Sequence, residues 1–328
     1  MDHGQHSPQY AGALKHHVAP LNIIVQLTKP GIIFGNLASL SGGYFLASDA
    51  SLKSPSNLLA ILIGTALVIG CGCVLNNCID RDIDRRMVRT CHRALAIRAI
   101  SVKSAVCYAT VLGIAGFALL WTASNLLAFT LALTGLVIYA GLYSGWLKRH
   151  SHWGTLVGSL SGAMPPVIGY CAVSGKFDLI AALLVVVFCL WQMPHSHAIS
   201  VMRREDFRAA GLPLLTPSAA RRQIIVYMLG FVLSATVLGV AADLNVVYFG
   251  VVLGLGGYWC SLAFRSPTAT DRRQWARNIF TFSIVLVLAL NLAMSLGSVL
   301  VRPLAGPGHQ QPALGLAQTW LSSPRIHP

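Results

Sequence analysis

Acidic side chains are scarce in this chain: ten aspartates and glutamates stand against 24 lysines and arginines in 328 residues, for a net charge of +14. Charge of either sign is thin, 10% of residues against roughly 25% in an ordinary soluble domain. So little charge cannot cover a water-facing surface, which excludes a soluble globular protein. No basic domain stands apart from short loops, which excludes a nucleic-acid partner. The eight cysteines form neither a C-x-x-C-H element nor a paired zinc spacing. Seven of them, Cys71, Cys73, Cys78, Cys107, Cys171, Cys189 and Cys260, read as small apolar packers within or at the ends of helices. The first 20 residues hold four histidines and one lysine, too little positive charge for a transit peptide, and no apolar stretch suited to a cleaved signal. A bacterial inner membrane is the expected address. No linker divides the chain into soluble domains, and no internal repeat is evident.

What is abundant is hydrocarbon. Hydrophobic residues make up 55% of the chain and the mean hydropathy is +0.65. Apolar runs near 31–48, 57–78, 104–121, 124–146, 154–173, 179–200, 223–242, 244–264 and 279–301 are each long enough to cross ~30 Å of hydrocarbon as a helix. The expected fold is therefore all-α, a polytopic bundle of about nine transmembrane helices. Lysine and arginine set the orientation. With the N-terminus in the cytoplasm, 20 of the 24 fall before residue 31 or in the loops at 79–103, 147–153, 201–222 and 265–278. Only Lys53, Lys176, Arg302 and Arg325 lie elsewhere. The chain divides into a cytoplasmic segment 1–30, one transmembrane domain 31–301, and a tail 302–328 whose composition predicts disorder.

Two of these loops, after the second and sixth spans, follow helices that carry polar groups into their last turns: Asn76 and Asn77, then Gln192, His195, His197 and Ser200. Polar groups at that depth usually face a bundle interior, so both ends are expected to face one cavity. Gly and Pro gather in GSLSGAMPPVIGY, 158–170. Small residues there permit close helix contact, and Pro165-Pro166 is expected to kink or break the helix.

The acids gather in NNCIDRDIDRR, 76–86. On a continued helix Asn76, Asp80 and Asp84 share one face at i, i+4, i+8, and Asp82 points elsewhere. Carboxylates at a helix C-terminus oppose the macrodipole at about 0.3–1 kcal/mol each. Something cationic must offset that. A solvated loop paired with Arg81, Arg85 and Arg86 is one reading. The other is Mg²⁺, which takes oxygen ligands from one or two carboxylates plus substrate phosphates, while arginines grip the remaining phosphate oxygens. A diphosphate bearing a lipid tail would suit a site where hydrocarbon meets cytoplasm.

NNCIDRDIDRRMVRT resembles the first aspartate-rich motif, N-x-x-x-D-x-x-x-D, of the UbiA-type intramembrane prenyltransferases. TKPGIIFGN at 28–36, YSGWLKRHS at 143–151, GSLSGAMPPVIGYCAVSG at 158–175, WQMPHSHAI at 191–199 and RREDFRAAGLP at 203–213 extend the resemblance over nearly the whole chain. They narrow it to the branch that farnesylates haem. The resemblance implies a central cavity open to the cytoplasm, haem B and farnesyl diphosphate as substrates, and Mg²⁺ as cofactor. It also implies the lipid bilayer as surroundings, and haem A synthase or terminal oxidase assembly as protein partners. Residue by residue, Asn76, Asp80 and Asp84 match the metal-diphosphate motif. Lys29, Arg93 and Lys148 match basic positions that would contact diphosphate. His195 matches the histidine of W-Q-M-P-H, and Asp206 the second acidic position, as metal ligand and catalytic residue. Two departures are local. CHRAL, 91–95, stands where K-N-R-P-L is usual, and IRAIS, 97–101, lacks the usual lysine-glycine turn, with Arg89 and Arg98 as the available compensating cations.

Alternatives stay open at several positions. Asp206 is either a second Mg²⁺ ligand or a loop partner of Arg203 or Arg208. An unbroken sixth span would put it on the face of His195, eleven residues earlier, though Pro194 interrupts the pattern. His195 is an axial contact to haem iron, a hydrogen-bond partner of a substrate carboxylate or diphosphate, or a cap on the helix break. His197 reads as structural. Lys148 and Arg149 also suit plain interfacial anchors. Two rival functions remain, a prenyltransferase for an aromatic quinone precursor such as 4-hydroxybenzoate, and a transporter without chemistry. A second D-x-x-x-D after the sixth span would favour the former. The latter would be expected to show broken helices repeated in pseudo-symmetry.

Overall fold

A computed structural model describes residues 20–48, 55–151, 153–265, 267–268 and 270–300. Most of the 1–30 segment, Lys53 and the whole 302–328 tail lie outside them. Among the described residues the chain is helical with no strand. The helices are α1 (Pro20–Thr28), α2 (Pro30–Ala47), α3 (Pro55–Ile79), the short α4 (Arg81–Arg86), α5 (Val102–Ala123) and α6 (Leu126–His150). There follow α7 (Gly154–Ser174), α8 (Leu179–Met202), the short α9 (Arg204–Ala209), α10 (Pro217–Ala241), α11 (Val246–Phe264) and α12 (Arg272–Leu300). Among the described residues eight of these are long and apolar enough to cross a membrane, or nine where α1 and α2, bent by 46° at their junction, count as one span. Eight of the nine expected apolar runs fall on the eight spans, and the first, 31–48, falls on α2.

Helix ends follow local side-chain chemistry. Ser101, Asn125, Asp178, Thr216 and Asn245 each accept a hydrogen bond from a backbone N–H of the first turn of the helix they precede. Asn125 works twice, because its Nδ2 also donates to the Cys171 carbonyl at 2.8 Å and ties the start of α6 to the end of α7. The break between α1 and α2 falls at Lys29, whose φ of 55° is left-handed. The following Pro30 disfavours ordinary helical geometry at that residue.

Packing places α2, α3, α6, α7, α8 and α12 around a cavity, with α5 laid along α3 and α10 along α8. Large apolar side chains such as Val111, Ile114, Leu233 and Val240 point outward, toward the lipid side of the bundle. Helices α2 and α7 approach each other closely, backbone to backbone. A Cβ at Gly43 would overlap the Pro166 carbonyl, and one at Gly169 would overlap that of Leu40. That contact bears on a sequence expectation, since α7 is not broken at Pro165 and Pro166. Both prolines are buried against their neighbours, and packing holds the turn although two helical N–H donors are missing. Pro194 likewise lies inside α8, which runs on to Met202 and does not stop at the proline.

Candidate active site

The helical backbone continues past the end of α3. Asp80 N–H bonds to the Asn76 carbonyl and Asp84 N–H to the Asp80 carbonyl, both at 2.8 Å. Asn76, Asp80 and Asp84 therefore line one face, and all three are buried. Asp82 points the other way, 49% exposed, clamped by Arg149 at 2.7 Å to each oxygen. The Arg149 hydrogen bond holds the Asp82 carboxyl down at about 2.

Each inward acid has a cation. Lys148 forms an ion pair with Asp80 Oδ2. Arg93 Nη1 donates to both oxygens of Asp84, at 3.0 and 2.9 Å. Lys29 Nζ, presented by the α1–α2 break, donates to Asn76 Oδ1 at 2.6 Å. That contact orients the amide, so that Asn76 Nδ2 donates to Asp80 Oδ2 at 2.8 Å and to Ser144 Oγ at 2.9 Å. Two carboxylates thus face three cations, a net positive cradle. Asp80 Oδ1 is buried and has no hydrogen-bond partner. An unpartnered carboxylate oxygen beside three cations fits a hard cation whose remaining ligands are phosphate oxygens.

Asp206 is supplied by a separate element. It lies on α9, beyond the end of α8, so it does not share a helix with His195. Its Oδ1 accepts from the Val88 N–H at 3.0 Å. Among the described residues no three His, Cys, Asp or Glu side chains converge as a ligand set. Asp206 stitches the 203–213 loop to the loop after α4, where Ile83, Met87, Ala210 and Leu212 form a small buried cluster. Arg89 lies between the acids. Burial, with Arg93 and Arg203 nearby, pulls its guanidinium below the ordinary value, while Asp206 and Asp84 oppose the shift. Arg98 makes the turn where the usual glycine is missing, and it does so with φ of 60°.

Below this charged mouth lies a cavity of about 680 Å³. Asn76 and Lys148 lie at one end and Tyr139, Tyr143, Gln192 and His195 on its walls. Within α6, Val137–Leu147 is π-helical, bonded i→i+5, which rephases the residues that reach inward. Ser144, which bonds Asn76, sits in this stretch and is missed by α-helical periodicity. His195 is sandwiched between Trp191 and Phe280, ring centroids 5.1 and 4.7 Å away. Its Nδ1 lies 2.7 Å from Ser283 Oγ. His197 is buried and packs toward Tyr227, away from the cavity lining.

A family profile described as "UbiA prenyltransferase family" matches residues 36–289. The chain is 51% identical over 278 residues to "Protoheme IX farnesyltransferase 2" of Pseudomonas entomophila, covering 84% of this chain and 94% of that protein. It is 51% identical over 279 residues, with the same coverage, to "Protoheme IX farnesyltransferase" of Pseudomonas syringae pv. tomato. Among solved structures it is similar to a UbiA homolog from Archaeoglobus fulgidus bound to GPP and Mg²⁺, at a TM-score of 0.61 and 16% identity over 84% of this chain and 99% of that one. A structure of digeranylgeranylglyceryl phosphate synthase gives a TM-score of 0.68 at 16% identity, over 85% and 98%.

Proposed function

The chain belongs to the UbiA prenyltransferase family, and from that premise we propose that it transfers the farnesyl group of farnesyl diphosphate to a vinyl group of haem B, yielding haem O. The observation that carries this reading is the placement of the unpartnered Asp80 Oδ1 and three cations at the mouth of a 680 Å³ cavity, in a chain 51% identical to protohaem IX farnesyltransferases. Asp80 and Asp84 would hold Mg²⁺, with Asn76 orienting the first of them. When bound, the ion neutralises charge that develops on the leaving diphosphate.

The chain's own residues do the rest. Lys29, Lys148 and Arg93 surround the diphosphate and stabilise it as the allylic C–O bond breaks and the bonding pair leaves with oxygen. The apolar cavity takes the prenyl tail and keeps water from the carbocation. The vinyl group attacks the allylic carbon, and the cation this leaves on the haem side chain is captured by water, which loses a proton to give the hydroxyethyl group. Asp206 ties the 203–213 loop to the loop after α4 through the Val88 N–H, with the Arg89 guanidinium close enough to feel the charge of both Asp206 and Asp84. The arginine-rich loops at the mouth support a cytoplasmic opening, with the N-terminus inside and the inner membrane of a bacterium as the proposed location. One transmembrane domain over 31–301 would carry all of these residues but Lys29, which stands just before it.

The test is turnover in detergent with haem B, farnesyl diphosphate and Mg²⁺, read by mass spectrometry. A farnesyl-plus-water adduct of haem, lost on adding EDTA, is the expected result. Folded protein that forms no adduct with haem but prenylates 4-hydroxybenzoate would overturn the choice of acceptor.

A further inference from the structure

Ser283 is fully buried on α12 and meets α8 twice. Trp191 Nε1 donates to its carbonyl at 2.9 Å, and His195 Nδ1 lies 2.7 Å from its Oγ. The hydroxyl has a single proton, and that proton is committed: Ser283 Oγ donates at 2.6 Å to the Phe280 carbonyl, a group that only accepts. What Oγ offers His195 is a lone pair. The hydrogen of this contact therefore sits on Nδ1, and in the neutral ring the lone pair is left on Nε2.

This tautomer separates the three readings of His195. A neutral Nε2 without hydrogen cannot donate to a diphosphate or a carboxylate. A cap for the turn loosened by Pro194 would bond the α8 backbone, whereas the Nδ1 contact runs to α12. An acceptor nitrogen on a cavity wall, with its ring plane fixed between Trp191 and Phe280 and its far nitrogen bonded to a supporting group, is how proteins present imidazole to a metal. On the reading that haem B is the acceptor, we propose that His195 Nε2 is the axial ligand of the substrate iron and that Ser283 is the positioning residue that fixes its tautomer and plane. The bond would anchor the macrocycle at one height in the cavity and so set which side chain of the porphyrin meets the allylic carbon.

The full chain in detergent, loaded with ferrous haem B and no farnesyl diphosphate, supplies the test by resonance Raman spectroscopy and haem titration. The wild type is expected to show an iron–histidine stretch. His195→Ala should lose it and recover ligation when imidazole is added. Ser283→Ala should keep a histidine ligand with a lowered stretching frequency, because the hydrogen bond that strengthens the imidazole as a donor is gone, and bind haem about 10–100-fold more weakly. A His195→Ala spectrum identical to wild type overturns the ligation while leaving haem as acceptor intact. If His195→Ala does not fold, an unchanged frequency and affinity in Ser283→Ala overturns the proposal by itself. A wild type that binds no haem and forms no haem O removes the acceptor reading and the proposal together; one that forms haem O without an iron–histidine stretch removes only the proposal.

Discussion

Asp80 and Asp82 are two positions apart and have opposite surroundings, which makes them an internal control. Asp80→Asn removes charge from a buried oxygen that has no protein partner, and farnesyl transfer is expected to fall about 10²–10³-fold, the size of losing one preorganised electrostatic group. Asp82→Asn, on the outward face, should change turnover less than about 3-fold, within the loss of an exposed ion pair. Its effect is on stability and depends on pH. Because Arg149 depresses the folded-state carboxyl from 3.8 to about 2, the pair contributes stability that is present above the unfolded value and disappears as pH falls through about 2. The side chain is half exposed, so solvent screening keeps that contribution at or below ~1 kcal/mol, and the melting temperatures of wild type and Asp82→Asn should differ by a constant small amount from pH 5 to 8. Arg98 offers a gain instead. A left-handed φ in a non-glycine residue costs roughly 1–2 kcal/mol, partly offset by the chain entropy of glycine, so Arg98→Gly should raise thermal stability by about 1 kcal/mol in detergent.

Helix α7 depends on what lies against it more than on its own composition. Two adjacent prolines predict a kink or break, yet the helix continues, because α2 packs against that turn at a distance only Gly43 and Gly169 permit. Gly43→Ala would drive a methyl group into backbone at Pro166, which cannot swing aside as a side-chain tip could. It is expected to destabilise the bundle by about 1–3 kcal/mol, measured as a drop in detergent melting temperature with a loss of monodispersity on size exclusion. The π-helical stretch of α6 has a comparable status. Apolar content marks a span over 124–146, but its inner wall is evident only once Tyr139 and Tyr143 are seen stacked, ring centroids 6.2 Å apart, on the cavity lining.

The site belongs to the assembled bundle. Lys29 precedes α2, Asn76, Asp80 and Asp84 follow one another off α3, Lys148 ends α6 and His195 lies on α8, so the cavity forms only when six helices close around it. Farnesyl diphosphate with Mg²⁺ should therefore stabilise the whole fold, by about 2.7 kcal/mol at one hundred times its dissociation constant. A thermal shift that EDTA abolishes in the wild type, and that Asp80→Asn does not show, checks this.

Hydropathy and the i, i+4, i+8 spacing were enough to place the apolar spans and the face bearing Asn76, Asp80 and Asp84, because both are local or periodic properties of the chain. The partners of those residues were not legible in the same way. Ser144 is 68 positions from Asn76, Ser283 is 88 from His195, and Asp206 is 118 from the Val88 N–H it accepts from. No spacing rule reaches across such separations. Which polar group meets which is set by how the helices cross, and the crossings follow from close packing at positions such as Gly43, where the geometry is known only once the neighbour is in place.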